Sequence, residues 1–374
     1  MPKTALIYSA EMNGYDMGLN HPMRPERLRL AYELISAYGL FSGESRLVQP
    51  VPANLADLQT VHWAAYIEAV RSLSNGEKSR SQAAFGFGAL DNPPFLGMYE
   101  ASLLYTGASV LAAELVASGE FDSVFSISGG LHHAMPERAS GFCVFNDPAI
   151  AIQRLRREVG RIAYIDIDAH HGDGVQAAFY KASDVLTISI HESGHFLFPG
   201  SGFTEEIGAG EGTGYSVNVP LTPSTPDDLY LWAFDEIVPP LIEAYQPEII
   251  VAQLGVDSHF SDPLAHLNVT SRGFSSVVER ILGFGRPLVA FGGGGYNLAA
   301  VSRLWTIAYG LMAERELPDR IPEEYAARYG ITHLHDTIEP STTRHQRDSV
   351  RPDAERAVRE IKRLVFPFHG LSSE

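Results

Sequence analysis

Short apolar runs rich in β-branched residues recur along the chain. They are separated by longer stretches whose apolar residues return every three or four positions. The runs predict strands at 4–9, 124–128, 161–167, 185–190, 215–220, 248–255 and 287–291. The stretches between them predict helices over 28–39, 55–74, 96–118, 175–181 and 226–245. A further helix begins at Asp147, read as its N-cap with Pro148 in the first helical position. Strand and helix alternating throughout predict one α/β domain over 1–374, an open, mostly parallel sheet with helices on both faces. Residues 314–374 read as an extension packed on it, rich in proline and charge to about 353 and helical beyond.

Polar residues interrupt this pattern where strands end. The run RIAYIDIDAHHGDG, 161–174, is apolar up to Ile167, then turns to carboxylate and imidazole before its glycines. Its first half reads as a buried strand of a parallel sheet. On an extended chain alternate side chains share a face, so Asp166, Asp168 and His170 are expected to project to one side. Five ionisable residues fall within the eight positions 166–173, and burying them is costly unless they pair or hold a cation. Asp168 and His170 offer an oxygen and a nitrogen, a set suited to a divalent ion such as zinc. Asp257, just past the strand at 248–255, adds a third ligand at the edge where open α/β sheets bind ligands. Three protein ligands leave zinc open to water and substrate, as in catalytic sites. His132 and His133 follow a strand and a Gly-Gly turn, and such a pair beside a metal is a candidate general acid and base. No Lys-Ser/Thr follows the four glycines at 292–295, which weakens a phosphate-loop reading. Cys143 has no neighbouring base and reads as a small buried side chain.

Bulk properties narrow the class. A formal net charge of −17 argues against direct nucleic-acid binding and suits cationic substrates. One cysteine precludes an internal disulfide and fits a reducing compartment. No uninterrupted apolar run reaches the roughly 18 residues of a membrane span. Met1-Pro2-Lys3-Thr4 leads into ALIYSA without the apolar stretch of a signal peptide. A cytoplasmic protein with no membrane partner is expected, and the oligomeric state stays open.

The segment DIDAHHGDG, 166–174, resembles the metal-binding signature of histone deacetylases and their bacterial relatives, which include acetoin-utilisation deacetylases and acetylpolyamine amidohydrolases. HPMRPERL at 21–28, GFGALDNPP at 86–94, ASGFCVFND at 139–147 and HESGHFLFPG at 191–200 extend the resemblance over about 10–310, closest to bacterial class I-like deacetylases. It implies an arginase/deacetylase-like fold and a metal held by Asp168, His170 and Asp257, zinc or ferrous iron. It further implies that Asp166 orients His132, that Asp173 orients His133, and that Tyr296 donates to an oxyanion. Asp91 would hold substrate backbone at the rim. Phe142, Phe198 and Leu264 would wall a tunnel for a lysine stem, and Arg27 would lie near an internal channel for acetate. Two potassium sites are implied as well. One uses Asp166, Asp168, His170, Ser189 and Ile190. The other uses backbone around Phe179, Val185 and Tyr215.

The implied reaction is hydrolysis of an N-acetyl amide, with acetylated protein lysine as substrate. Three alternatives stay open. They are the same chemistry on an acetylpolyamine, a dimanganese hydrolase of the arginase type using Asp166 and Asp173 as further ligands, and a non-catalytic acetyl-lysine-binding module. His132-His133 and the glycine run into Tyr296 favour a deacetylase over the second. An intact base pair and tyrosine favour it over the third.

Overall fold

The computed structural model describes residues 2–77, 82–88, 91–340 and 343–373, with the backbone alone at 344–347. Its strands are β1 (Thr4–Ile7), β2 (Ser45–Val48), β3 (Ser123–Ser126), β4 (Ile162–Asp166), β5 (Val185–Glu192), β6 (Ser216–Leu221), β7 (Ile249–Gln253) and β8 (Leu288–Phe291). They form one sheet in the order β2-β1-β3-β8-β7-β4-β5-β6, and every pairing is parallel. β3, β8, β7 and β4 lie side by side in the middle and are buried along their whole length. Burial on both faces is why these strands read as continuous apolar runs rather than as alternating ones.

The register sets up the site. Ser126 pairs with Phe291, Phe291 with Gln253, and Gln253 with Asp166. Four strands therefore end level, and the loops that follow them meet above one edge. Parallel strands need long crossovers, and the helices that supply them cover the sheet.

Several elements differ from the sequence reading. The helix expected over 28–39 is α1 (Glu26–Ala37), and the one expected over 55–74 is two helices, α2 (Leu55–Leu58) and α3 (Ala64–Ser74). Between them His62 faces the backbone of two other segments, with Nδ1 3.1 Å from the Met135 carbonyl and Nε2 accepting from Asn146 N at 2.9 Å. Those tertiary bonds bend a segment that is helical by local pattern. α4 (Met98–Ala117) is long and apolar enough to cross a membrane by length and composition. This qualifies the expectation that no such stretch exists. It packs on α5 (Asp147–Leu155) and β3, and most of its residues are buried there. The N-cap of α5 is Asn146, whose Oδ1 accepts from Ala149 N at 3.0 Å, so Asp147 is not the cap. β2 and the helix at Ser271–Gly283 were not visible in the pattern. The latter is capped by Thr270, whose hydroxyl accepts from Arg272 and Gly273 N–H.

The C-terminal helix runs over Arg344–Val365 and contains Pro352. It begins well before the expected start near 353. A proline inside a helix removes one hydrogen bond and usually breaks it. Here Ala354, Val358, Ile361 and Val365 are buried, on a helix that packs against β6 and the helix Asp227–Tyr245. That apolar face offsets the lost bond.

Candidate metal centre and active site

β4 ends at Asp166, and the side-chain alternation expected through His170 ends with it. Asp166 Oδ1 accepts from Asp168 N at 3.1 Å, and Asp168 Oδ1 accepts from His170 N at 2.9 Å. Each carboxylate thus closes a turn on the backbone two residues ahead, a local habit of aspartate. The turns divide the side chains. Asp166 faces His132, whereas Asp168 and His170 face Asp257.

The Asp168, His170 and Asp257 ligand atoms all lie within 4.8 Å of one another, and all three residues are buried. His170 Nδ1 is 3.1 Å from Asp168 Oδ1 and 2.9 Å from Asp257 Oδ2. Burial opposes the imidazolium, but the bonds to the two carboxylates hold its pKa well above the usual value. Burial, reinforced by the Asp168 charge, pushes the Asp257 carboxyl upward. Among the described residues neither carboxylate pairs with Lys or Arg. Two buried carboxylates crowded on one imidazole need a proton or a cation between them, and a divalent ion would meet that need. Two oxygens and one nitrogen also suit such an ion. Gly294 keeps the space open, because a Cβ there would lie 2.1 Å from Asp257 Oδ2. Its N–H donates to Asp168 Oδ2 at 2.8 Å, and Gln253 Nε2 donates to the same oxygen at 2.7 Å. The residues therefore fit a resident metal.

Beside the cradle stand the two histidines, with their Nε2 atoms 3.0 Å apart. His132 Nδ1 is 2.7 Å from Asp166 Oδ2, and His133 Nδ1 is 2.7 Å from Asp173 Oδ1. Both pairs match the expected assignment. Their environments differ. Burial lowers the pKa of His132, but Asp166 and Asp168 outweigh it and bring the value to about 9. For His133 burial dominates, the positive charge of His132 adds to it, and the pKa falls to about 4. The surroundings of His132 thus favour its cation, and those of His133 favour the neutral ring. The turn bearing them hangs on Asp147. Its Oδ2 accepts from Ser109 Oγ and from Gly130 N at 3.0 Å, and its Oδ1 accepts from Leu131 N at 2.9 Å. Burial raises this carboxyl to about 6, against those hydrogen bonds.

Aromatic rings line the approach. Phe198 packs edge-on against His133 with centroids 5.0 Å apart. Phe142 meets Tyr296 edge-on at 5.8 Å, and Tyr296 meets His170 at 6.4 Å. Phe142 has φ +67°, in the left-handed region, as does Gly141 at +52°. The Ser140–Cys143 turn that needs these angles is closed by Cys143 N donating to Ser140 O at 2.9 Å. Asp91 sits exposed at the rim and accepts from Gly141 N at 3.0 Å, which ties it to the Phe142 turn. Ala89 and Leu90 of the same loop lie outside the described residues. Leu264 follows Asp262 on the loop after β7.

The remaining candidates also have definite places. Arg27 is buried, and its Nη1 donates to the carbonyls of Gly293 at 3.0 Å and Gly295 at 3.1 Å. It braces the glycine turn and makes no ion pair among the described residues. Its Nε and Ser128 Oγ have no hydrogen-bond partner there and line a cavity with Met12, Tyr15, Met23 and Leu131. Cys143 is buried, and burial raises its thiol well above the usual value, which suits an inert side chain. Ser189 and Ile190 stand on β5 beside Asp166 of β4, with Ser189 Oγ 2.8 Å from His191 Nδ1. Phe179 ends its helix, Val185 opens β5, and the Tyr215 carbonyl accepts from Thr187 N at 2.9 Å. Glu192, with no assigned role in the sequence reading, is buried and accepts from His266 N at 2.7 Å. His195 packs its ring 4.7 Å from Phe203.

Gln253, Asp147 and Asp262 escaped the sequence reading. The signal for Gln253 was present, a lone amide in the otherwise apolar strand EIIVAQLG. Asp147 and Asp262 look locally like a cap and a turn residue.

The described geometry has a counterpart among known proteins. Residues 21–312 match the histone deacetylase domain. The chain belongs to the histone deacetylase family. It is 38% identical over 330 residues to the acetoin utilization protein AcuC of Bacillus subtilis, covering 85% of each chain. It is 37% identical over 332 residues to human histone deacetylase 1, covering 88% of this chain and 68% of that protein. The crystal structure of a histone deacetylase homolog from Aquifex aeolicus superposes with a TM-score of 0.85 at 31% identity, covering 94% of this chain and all of that one. The family is one of metal-dependent hydrolases that deacetylate lysine, and the buried Asp168-His170-Asp257 triad accords with it.

Proposed function

We propose that this protein hydrolyses the acetyl amide of acetyl-lysine side chains in proteins, releasing acetate and free lysine. One observation carries the reading. The His133–Asp173 pair and the Tyr296 ring stand around the same Asp168-His170-Asp257 cradle, at the foot of an aromatic-walled approach. Asp168, His170 and Asp257 would hold a zinc or ferrous ion, which when bound polarises an amide carbonyl and makes a water nucleophilic. His133, kept neutral, takes the proton as water adds to the carbonyl carbon. Asp173 fixes its tautomer from behind. Tyr296 donates its hydroxyl hydrogen to the oxygen that gains charge, in a desolvated position where one such donor counts for ~10²–10³ in rate. As the C–N bond breaks, a proton passes from the histidine pair to the leaving amine. Phe142, Phe198 and Leu264 exclude water around the methylene stem, and Asp91 receives substrate backbone at the rim. The cavity beside Arg27 and Ser128 is the place we assign to departing acetate. Potassium, at the residues described above, is the monovalent cation we assign to the fold.

The test uses protein loaded with zinc and, separately, with ferrous iron. Acetate release should be faster from an acetyl-lysine peptide than from acetylspermidine. The reverse order would make the protein an acetylpolyamine amidohydrolase. Metal binding with release from neither substrate would leave an acetyl-lysine-binding module.

A further inference from the structure

The peptide unit between Gly295 and Tyr296 is gripped from both sides. Its carbonyl, on Gly295, accepts from Arg27 Nη1 at 3.1 Å. Its N–H, on Tyr296, donates to Asp262 Oδ2 at 2.8 Å. A cation on the oxygen and an anion on the hydrogen fix the plane of that peptide, and with it the direction in which the tyrosine leaves the backbone. The other oxygen of Asp262 works elsewhere. Oδ1 accepts from Leu264 N at 2.9 Å and from Ala265 N at 3.3 Å. One carboxylate thus ties the loop after β7, which carries Leu264, to the turn after β8, which carries Tyr296. Among the described residues Asp262 has no Lys or Arg partner within ion-pair distance, so its charge is engaged by backbone N–H groups. The Gly295 conformation, with φ +125°, gives the turn no side chain of its own to resist rotation.

We propose that Asp262 is a positioning residue that holds the tyrosine hydroxyl and the Leu264 lip at a fixed separation, so that one carboxylate governs both turnover and the fit of the acyl-lysine. The inference rests on the reading of Tyr296 as the oxyanion donor. Displacing a reacting group by about 1 Å can cost on the order of 10²-fold. Asp262→Ala frees both loops. It should lower kcat on an acetyl-lysine peptide by about 10- to 100-fold. It should also shift the preference between acetyl and butyryl peptides, because the lip is no longer registered against the tyrosine. Asp262→Asn keeps one acceptor oxygen and turns an N–H toward the other loop, so its loss should be intermediate.

A double-mutant cycle decides the matter, with metal content and thermal midpoint measured on each preparation. If Asp262 acts through Tyr296, the double variant Asp262→Ala/Tyr296→Phe should be no slower than Tyr296→Phe alone. Losses that multiply would overturn the proposal and leave Asp262 a structural residue. So would a wild-type kcat with an unchanged acyl preference in either single variant. Should Asp262→Ala fail to fold, the same cycle is run with Asp262→Asn. A wild-type kcat in Tyr296→Phe sinks the oxyanion reading and this proposal together. A slow Tyr296→Phe with a multiplicative cycle removes the positioning role only.

Discussion

On one side of the metal cradle, imidazoles are held by carboxylates through side-chain pairs, His132 to Asp166 and His133 to Asp173, both at 2.7 Å. On the other side, Tyr296 is held through its backbone, by Asp262 on its N–H and by Arg27 on the carbonyl before it. In the histidine wall each ring has its own carboxylate, Asp166 fully buried and Asp173 partly buried. The tyrosine wall is rigid because glycines permit a tight turn and two distant charges lock it. The side-chain pairs set unlike surroundings, with carboxylates pushing the pKa of His132 up while burial and the neighbouring His132 push that of His133 down. A pattern of backbone clamps sets where the phenol points. In the proposed mechanism the two walls divide proton transfer from charge stabilisation.

Substitutions on the two walls should have different consequences. His133→Ala removes the neutral base and should cost on the order of 10²–10⁴ in kcat with metal still bound. Metal loss in that variant would make His133 a ligand and erase the division between walls. Tyr296→Phe should leave fold, metal content and KM nearly unchanged while kcat falls ~10²–10³. A lower thermal midpoint with normal kcat would mean that the ring merely covers the glycine turn. The smallest effect on rate is expected behind the tyrosine wall, at Asp336 of the C-terminal extension. Its carboxylate accepts from Ser271 N at 2.7 Å and from Arg303 Nη2 at 2.8 Å, and it lies 3.1 Å from His259 Nε2. His259 in turn reaches Ser261, which receives Asn297 Nδ2 at 3.0 Å. Asp336→Ala should cost about 1–3 kcal/mol of stability, read by denaturant unfolding, with kcat close to wild type. A kcat loss as large as that of Tyr296→Phe would show that the extension belongs to the catalytic apparatus.

Much of the histidine wall was legible beforehand. Asp166, Asp168, His170 and Asp173 lie within eight positions, and their number at a strand end already demanded a cation or partners. The tyrosine wall was legible only as a glycine run before an aromatic residue. Asp262 is five positions from Asp257 but 34 from the Tyr296 N–H it accepts, and Arg27 is 268 positions from the Gly295 carbonyl it braces. No local signal links such residues. Asp147 shows the same limit. Its place before Pro148 predicts a cap, yet its carboxylate serves a turn 16 and 17 positions upstream, and the neighbouring Asn146 caps the helix instead.

By itself the sequence determined the alternation of strands and helices, hence a parallel sheet, and the rule that ligands gather where its strands end. Apolar periodicity and the cost of burying charge are local quantities, readable in one dimension. The tertiary structure decided which strand ends stand level. It also decided that Asp166 turns to His132 while Asp168 turns to Asp257, and that two identical His–Asp distances come with pKa shifts in opposite directions. Those outcomes depend on sheet register, on burial and on charges brought together from distant positions, and none of the three exists until the chain has folded.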